Sequence, residues 1–133
     1  LALEGEAGAL AHRVALLSPG FEEAARSRIP ASPREALWRA VATGEIEGTT
    51  AADPGAAAVI EGLSDPEIPA ELSAVIEEGR LGEGILRAAA LFRQGLDGDH
   101  RAVTGAIATL RAVGLEEVAR RAALQFLLLG DRR

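Results

Sequence analysis

The chain has 133 residues, carries a formal charge of −6 and is 48% hydrophobic and 26% charged. That is the composition of one soluble globular domain, and it excludes a disordered segment and a bilayer span of ~20 apolar residues. Cys, Met, Lys, Asn and Tyr are all absent, which removes disulfides, thiolate chemistry, cysteine-containing zinc sites, the P-loop lysine and Schiff-base catalysis.

Other functions are disfavoured by balance. All 14 basic residues are Arg against 20 acidic ones, so neither nucleic acid nor an anionic membrane finds a basic face. Aromatic residues are 3%, too few for a base-stacking platform. An Ala-, Gly- and Arg-rich chain without Lys or Asn has the composition of a GC-rich bacterial genome. Position 1 is not Met, and we expect a piece of a larger bacterial protein. The expected setting is the bacterial cytoplasm or periplasm, with no signal peptide visible in these residues.

The hydrophobic period is helical throughout. A first helix is expected from Ala2 to Leu17, with Leu3, Ala7, Leu10, Val14 and Leu17 as its core stripe. Ser18-Pro19 reads as the cap of a short helix ending near Arg28. Ser32 and Glu35 form a capping box for a helix with Leu37, Trp38 and Val41, stopped at Gly44. Residues 44–53 hold little that fills a core and read as the loosest connection, dividing an N-terminal part, 1–43, from a C-terminal part, 54–133.

Asp53-Pro54 caps a helix stopped at Gly62. The rigid turn Ser64–Pro69 precedes a helix to Glu78. Residues 81–129 then form the most regular unit, three helices long. The first carries Leu81, Ile85, Ala88, Ala89 and Phe92 and stops at Gly95. The second, capped by Asp99, carries Val103, Ala106, Ile107, Leu110 and Val113. The third carries Val118, Ala119, Ala122, Phe126 and Leu129. The expected fold is all-α, an irregular bundle or short stack of about seven helices in antiparallel hairpins. It is similar to α-solenoids at the level of helix pairs only, without their repeat.

Three motifs bear on chemistry. Gly82-Glu83-Gly84 through Ala88 has the spacing of a dinucleotide fingerprint, but a helix rather than a strand precedes it, so small residues easing helix approach explain it better. Asp97, Asp99, His100 and Arg101 form a turn that an enzyme or ligand site could use, though a helix start capped by Asp99 explains it better. His12 with Glu4, Glu6 and Arg13 reads as a polar helix face. No cofactor or metal is expected.

Partner-binding residues are sought elsewhere. Leu124, Leu127 and Leu128 lie beyond the main stripe of the last helix, leaving it apolar nearly all round. Either the N-terminal half covers that second face or another chain does. Trp38 is expected in the core under the Arg34 stem, or stacked with Arg34 at the surface. The reading is a non-enzymatic interaction or scaffolding module that binds a protein partner, with Leu124, Leu127, Leu128, Trp38 and Arg34 as candidates. The alternatives are a site at the Asp97–Arg101 turn and a homo-oligomerisation domain acting through the last helix.

Overall fold

The computed structural model describes residues 5–64 and 68–130. Ala2, Leu3 and Glu4, and Asp65, Pro66 and Glu67 of the expected rigid turn, lie outside them. Eight helices follow in order: α1 Gly5–Leu16, α2 Phe21–Arg26, α3 Pro33–Thr43, α4 Pro54–Ser64, α5 Ala70–Glu77, α6 Leu81–Leu96, α7 His100–Ala112 and α8 Glu116–Gly130. No strand is present among the described residues.

Side-chain caps set several helix starts. The Ser32 hydroxyl accepts from the Glu35 amide at 3.2 Å, Asp53 from Ala56 at 2.8 Å and Asp99 from Ala102 at 3.3 Å. Each satisfies an amide that the helix leaves unpaired. Ser18 does not cap α2. Its hydroxyl turns back to donate to the Ala15 carbonyl at 2.6 Å, and α2 begins at Phe21 instead of Pro19.

Helix α7 is the axis of the bundle. Ala102, Val103 and the run from Gly105 to Leu110 are all buried, because α4, α6 and α8 all pack on it. Gly95 lies against Val103 and Leu91 against Gly105. As one number falls the other rises, so α6 and α7 are antiparallel. On the other side, Thr104 donates to the Ala58 carbonyl at 2.9 Å, Gly62 meets Ile107, and Arg111 donates to the Leu63 carbonyl. These numbers rise together, so α4 runs parallel to α7. The arrangement is a bundle around one helix, not a uniform stack of antiparallel hairpins.

Two expected stops are packing positions. Gly62 and Gly95 both lie inside helices. A Cβ at Gly62 would stand 3.0 Å from the Ile107 Cβ, and one at Gly95 would overlap a Val103 methyl. These glycines let the helices approach closely; they do not end them. Gly44 does end α3, with φ +80°.

One hydrophobic core joins both parts of the chain. Leu16, Phe21, Trp38 and Val41 share it with Val59, Ile107, Leu124 and Leu128, and Ile46 from the 44–53 connection packs against it. Arginines fasten the seam. Arg120 of α8 donates to the Ala42 carbonyl at 2.7 Å and to Glu22 at 3.1 Å, with its guanidinium over the Phe21 ring. Arg13 of α1 donates to the Leu128 carbonyl at 3.2 Å and stands 5.8 Å over Trp38. Each places a cation at carbonyls left open near a helix C-terminus.

The link between α2 and α3 depends on pH. Arg28 donates to Glu35 at 2.8 Å. This hydrogen bond, first among the causes, holds the Glu35 carboxyl below its ordinary range. His12 is also pushed down, chiefly by burial and then by the Arg28 charge. In both cases the unfolded chain binds protons more readily, so stability rises with pH. The His12 contribution is lost as pH falls below its ordinary value of 6.5, and that of Glu35 as pH falls from 4.5 through its lowered value. Thermal melts from pH 7 to pH 3 are therefore expected to fall towards acid, with a shallower fall below pH 5 in Glu35→Gln.

Candidate functional site

Of the core stripes expected on α1, α6 and α8, only Ala88 and Ala119 are fully buried among the described residues. Helix α1 turns Gly8 and Leu16 inward. Its stripe faces out: Leu10 and Val14 are each 61% exposed, and Leu17 is exposed too. Helix α6 buries Gly84, Ala88 and Gly95 against its neighbours. That leaves Leu81 and Ala89 exposed and Ile85 and Phe92 half-covered.

Helix α8 buries Ala119, Ala123, Leu124 and Leu128, while Val118 is 46% and Leu129 37% exposed. Small residues decide the face on α6. Gly84 and Gly95 let neighbours come closer than Ile85 or Phe92 would, so more atoms reach contact distance.

The α6 and α8 stripes meet. Leu17, just past the end of α1, Ile85, Ala89 and Phe92 of α6, and Val118, Ala122 and Leu129 of α8 line one open groove of about 690 Å3. Leu110 and Leu115 also line it, and its polar contributions come from Arg121 and Gln125. Such a lining offers dispersion contacts and apolar burial and little that could do acid–base work.

A second cleft, of about 450 Å3, lies between the start of α4, the start of α7 and the end of α8. Asp53, Gly55, His100, Phe126 and Leu127 line it. The His100 ring meets Phe126 edge to face at 5.9 Å and 84°. Of Asp97, Asp99, His100 and Arg101, the residues that suggested chemistry, His100 alone lines this cleft. Asp97 and Arg101 are exposed. Asp99 is occupied as the α7 cap and accepts from the Gln94 amide at 2.6 Å, which holds its carboxyl below the ordinary range.

The candidate interaction residues are placed as follows. Leu124 and Leu128 are 0% and 1% exposed. They belong to the chain's own core and offer no surface, because the N-terminal helices cover that side of α8. Trp38 is likewise buried, at 5% exposure, and the guanidinium described over its ring is that of Arg13. Leu127 is half-buried on the α4–α8 cleft, and Arg34 is exposed. Most apolar groove residues were visible as members of helical stripes, but the stripe pattern reads the same for core and for docking surface.

The glycine motif has a structural role. A Cβ at Gly84 would stand 3.1 Å from Ile76, so it eases the approach of α5 to α6, while Gly82 faces open space. Among the described residues no group of three or more His, Asp and Glu could hold a metal ion. No described helix is long and apolar enough to cross a membrane. Fold and groove thus define an all-α bundle with an open apolar channel on one side. No protein-family model, curated protein or solved structure matches the chain.

Proposed function

We propose that this chain is a non-enzymatic protein-interaction module, and that the groove between α6 and α8 receives an apolar helix face. One observation carries this reading: the apolar stripes of α6 and α8, each with the spacing of a core face, are left partly uncovered and converge, with Leu17, on one groove. Helix-in-groove docking uses apolar anchors three and four residues apart, which such a channel accommodates. Scattered apolar residues are ordinary on a surface, but a contiguous channel of them marks a contact site. Arg121 on the groove wall favours an occupant whose flank near it is acidic.

The test is a selection of displayed amphipathic-helix peptides on the wild-type protein and on Val118→Glu. Sequences enriched on the wild type and lost on Val118→Glu support the reading. Equal recovery on both proteins overturns it.

The small-ligand alternative has one observation in its favour, the presence of His100 in the α4–α8 cleft. The edge-to-face contact with Phe126 is worth about 0.5–1.5 kcal/mol, so His100→Ala is expected to change stability by ~1 kcal/mol. Small-molecule fragments seen by NMR to bind the wild type, and lost in a folded His100→Ala, would favour this alternative over the module.

A further inference from the structure

We infer that the occupant of the groove is helix α1 of a second copy of this chain, in a two-fold symmetric pair; the inference rests on the groove being a docking site. Helix α1 supplies what the groove lacks. Ala7, Leu10, Val14 and Leu17 recur at spacings of three, four and three, and all are exposed. They form an apolar ridge on the side of α1 away from its buried Gly8 and Leu16. The charged and titratable side chains between them, His12 and Arg13, are half-buried on the other side.

Ridge and groove are continuous, because Leu17 ends the ridge and also lines the groove. A ridge beside a groove on one surface is the arrangement a two-fold axis requires. Each copy's ridge enters the other's groove, and both contacts are made at once. The lengths agree. At 1.5 Å per residue the ridge from Ala7 to Leu17 runs about 15 Å, and the α8 wall from Val118 to Leu129 about 16 Å.

The charges agree as well. Glu6 borders the ridge and Arg121 stands on the groove wall; both are exposed, and neither makes an ion pair among the described residues. Pairing Glu6 of one copy with Arg121 of the other brings opposite charges together twice. Arg121 so placed also disfavours an occupant with a basic flank.

The experiment is sedimentation of the full chain across concentration, with Val14→Glu on the ridge and Val118→Glu on the groove. Both positions are exposed, so both variants are expected to keep the wild-type circular dichroism. The wild type is expected to sediment as a dimer, and each variant to associate at least tenfold more weakly. An equimolar mixture of the two is expected to regain association, since it restores one intact ridge–groove contact. Because the chain has no Cys, Val14→Cys mixed with Val118→Cys gives an independent reading, with a disulfide joining unlike variants expected on mild oxidation.

A wild type that is monomeric at roughly 100 μM overturns the inference. So does a dimer that both Glu variants leave intact, or a mixture that fails to reassociate. Peptide selection on Val14→Glu, whose groove is unaltered, separates this failure from failure of the docking reading. Groove-dependent peptides from a monomeric protein would mean that the occupant is another protein's helix, whereas no such peptides would remove both.

Discussion

Replacing Leu128 with Ala is expected to cost about 2–5 kcal/mol, the usual penalty for emptying a buried leucine site. Leu128 is 1% exposed and shares the core with Leu124, Val41 and Trp38. Its carbonyl is held by Arg13 at 3.2 Å, and Arg13 in turn stands over Trp38. The surrounding groups are thus pinned and collapse poorly into a cavity, which places the cost towards the upper half of the range. A domain of this size has ~5–15 kcal/mol in all, so a fall in melting temperature of about 10 °C is expected. Leu128→Asp is expected to unfold the chain, since it would bury an unpaired carboxylate. Calorimetry on both variants, with sedimentation of Leu128→Ala, checks the point. An unchanged melt in both would show that α8 does not present this side to the core.

The second large effect comes from adding one methyl group at two glycines of the same helix. At Gly95 the new Cβ would overlap a Val103 methyl and lie 3.0 Å from the Val103 amide nitrogen. Val is stiff at its first torsion and the amide belongs to α7 itself, so α6 and α7 must separate. Overpacking of this kind costs about 1–3 kcal/mol, more than the ~1 kcal/mol that Ala gains over Gly in a helix. At Gly82 a Cβ meets nothing within 4 Å. Gly82→Ala is therefore expected to stabilise by about 0.4–1 kcal/mol through the unfolded chain. Denaturant melts of the two variants should move in opposite directions. Equal stabilisation by both would mean that α6 and α7 do not cross closely at Gly95.

Helix α8 marks how far the sequence carries. Its apolar residues circle the helix, which predicts burial on both sides, and the chain itself covers only the Leu124 and Leu128 side. Which side is covered was not legible. Val118, Ala122 and Leu129 have the regular stripe and lie in the groove, while Leu124 and Leu128, outside the stripe, hold the core. On α6 the larger residues Ile85 and Phe92 invite the same reading, and Gly84, Ala88 and Gly95 take the interface. Large apolar side chains such as Ile and Phe dominate the pattern of a sequence, because each has the most surface to withdraw from water. Helix packing is decided by how closely two backbones approach, and Gly and Ala permit the closer approach.

Local signals therefore determined the all-helical class, the caps at Ser32, Asp53 and Asp99, and the end of α3 at Gly44. Each depends on neighbours within about four residues, and that information lies in the chain itself. The tertiary structure alone decided that α4 lies parallel to α7, that Arg13 and Arg120 fasten the two parts together, and that the apolar stripes of α6 and α8 meet, with Leu17, in a groove. The hydrogen bonds that fix the first two join residues 46 to 115 positions apart. Which face of an amphipathic helix is buried depends on the shape of the surface opposite, and no periodicity within one helix contains that shape.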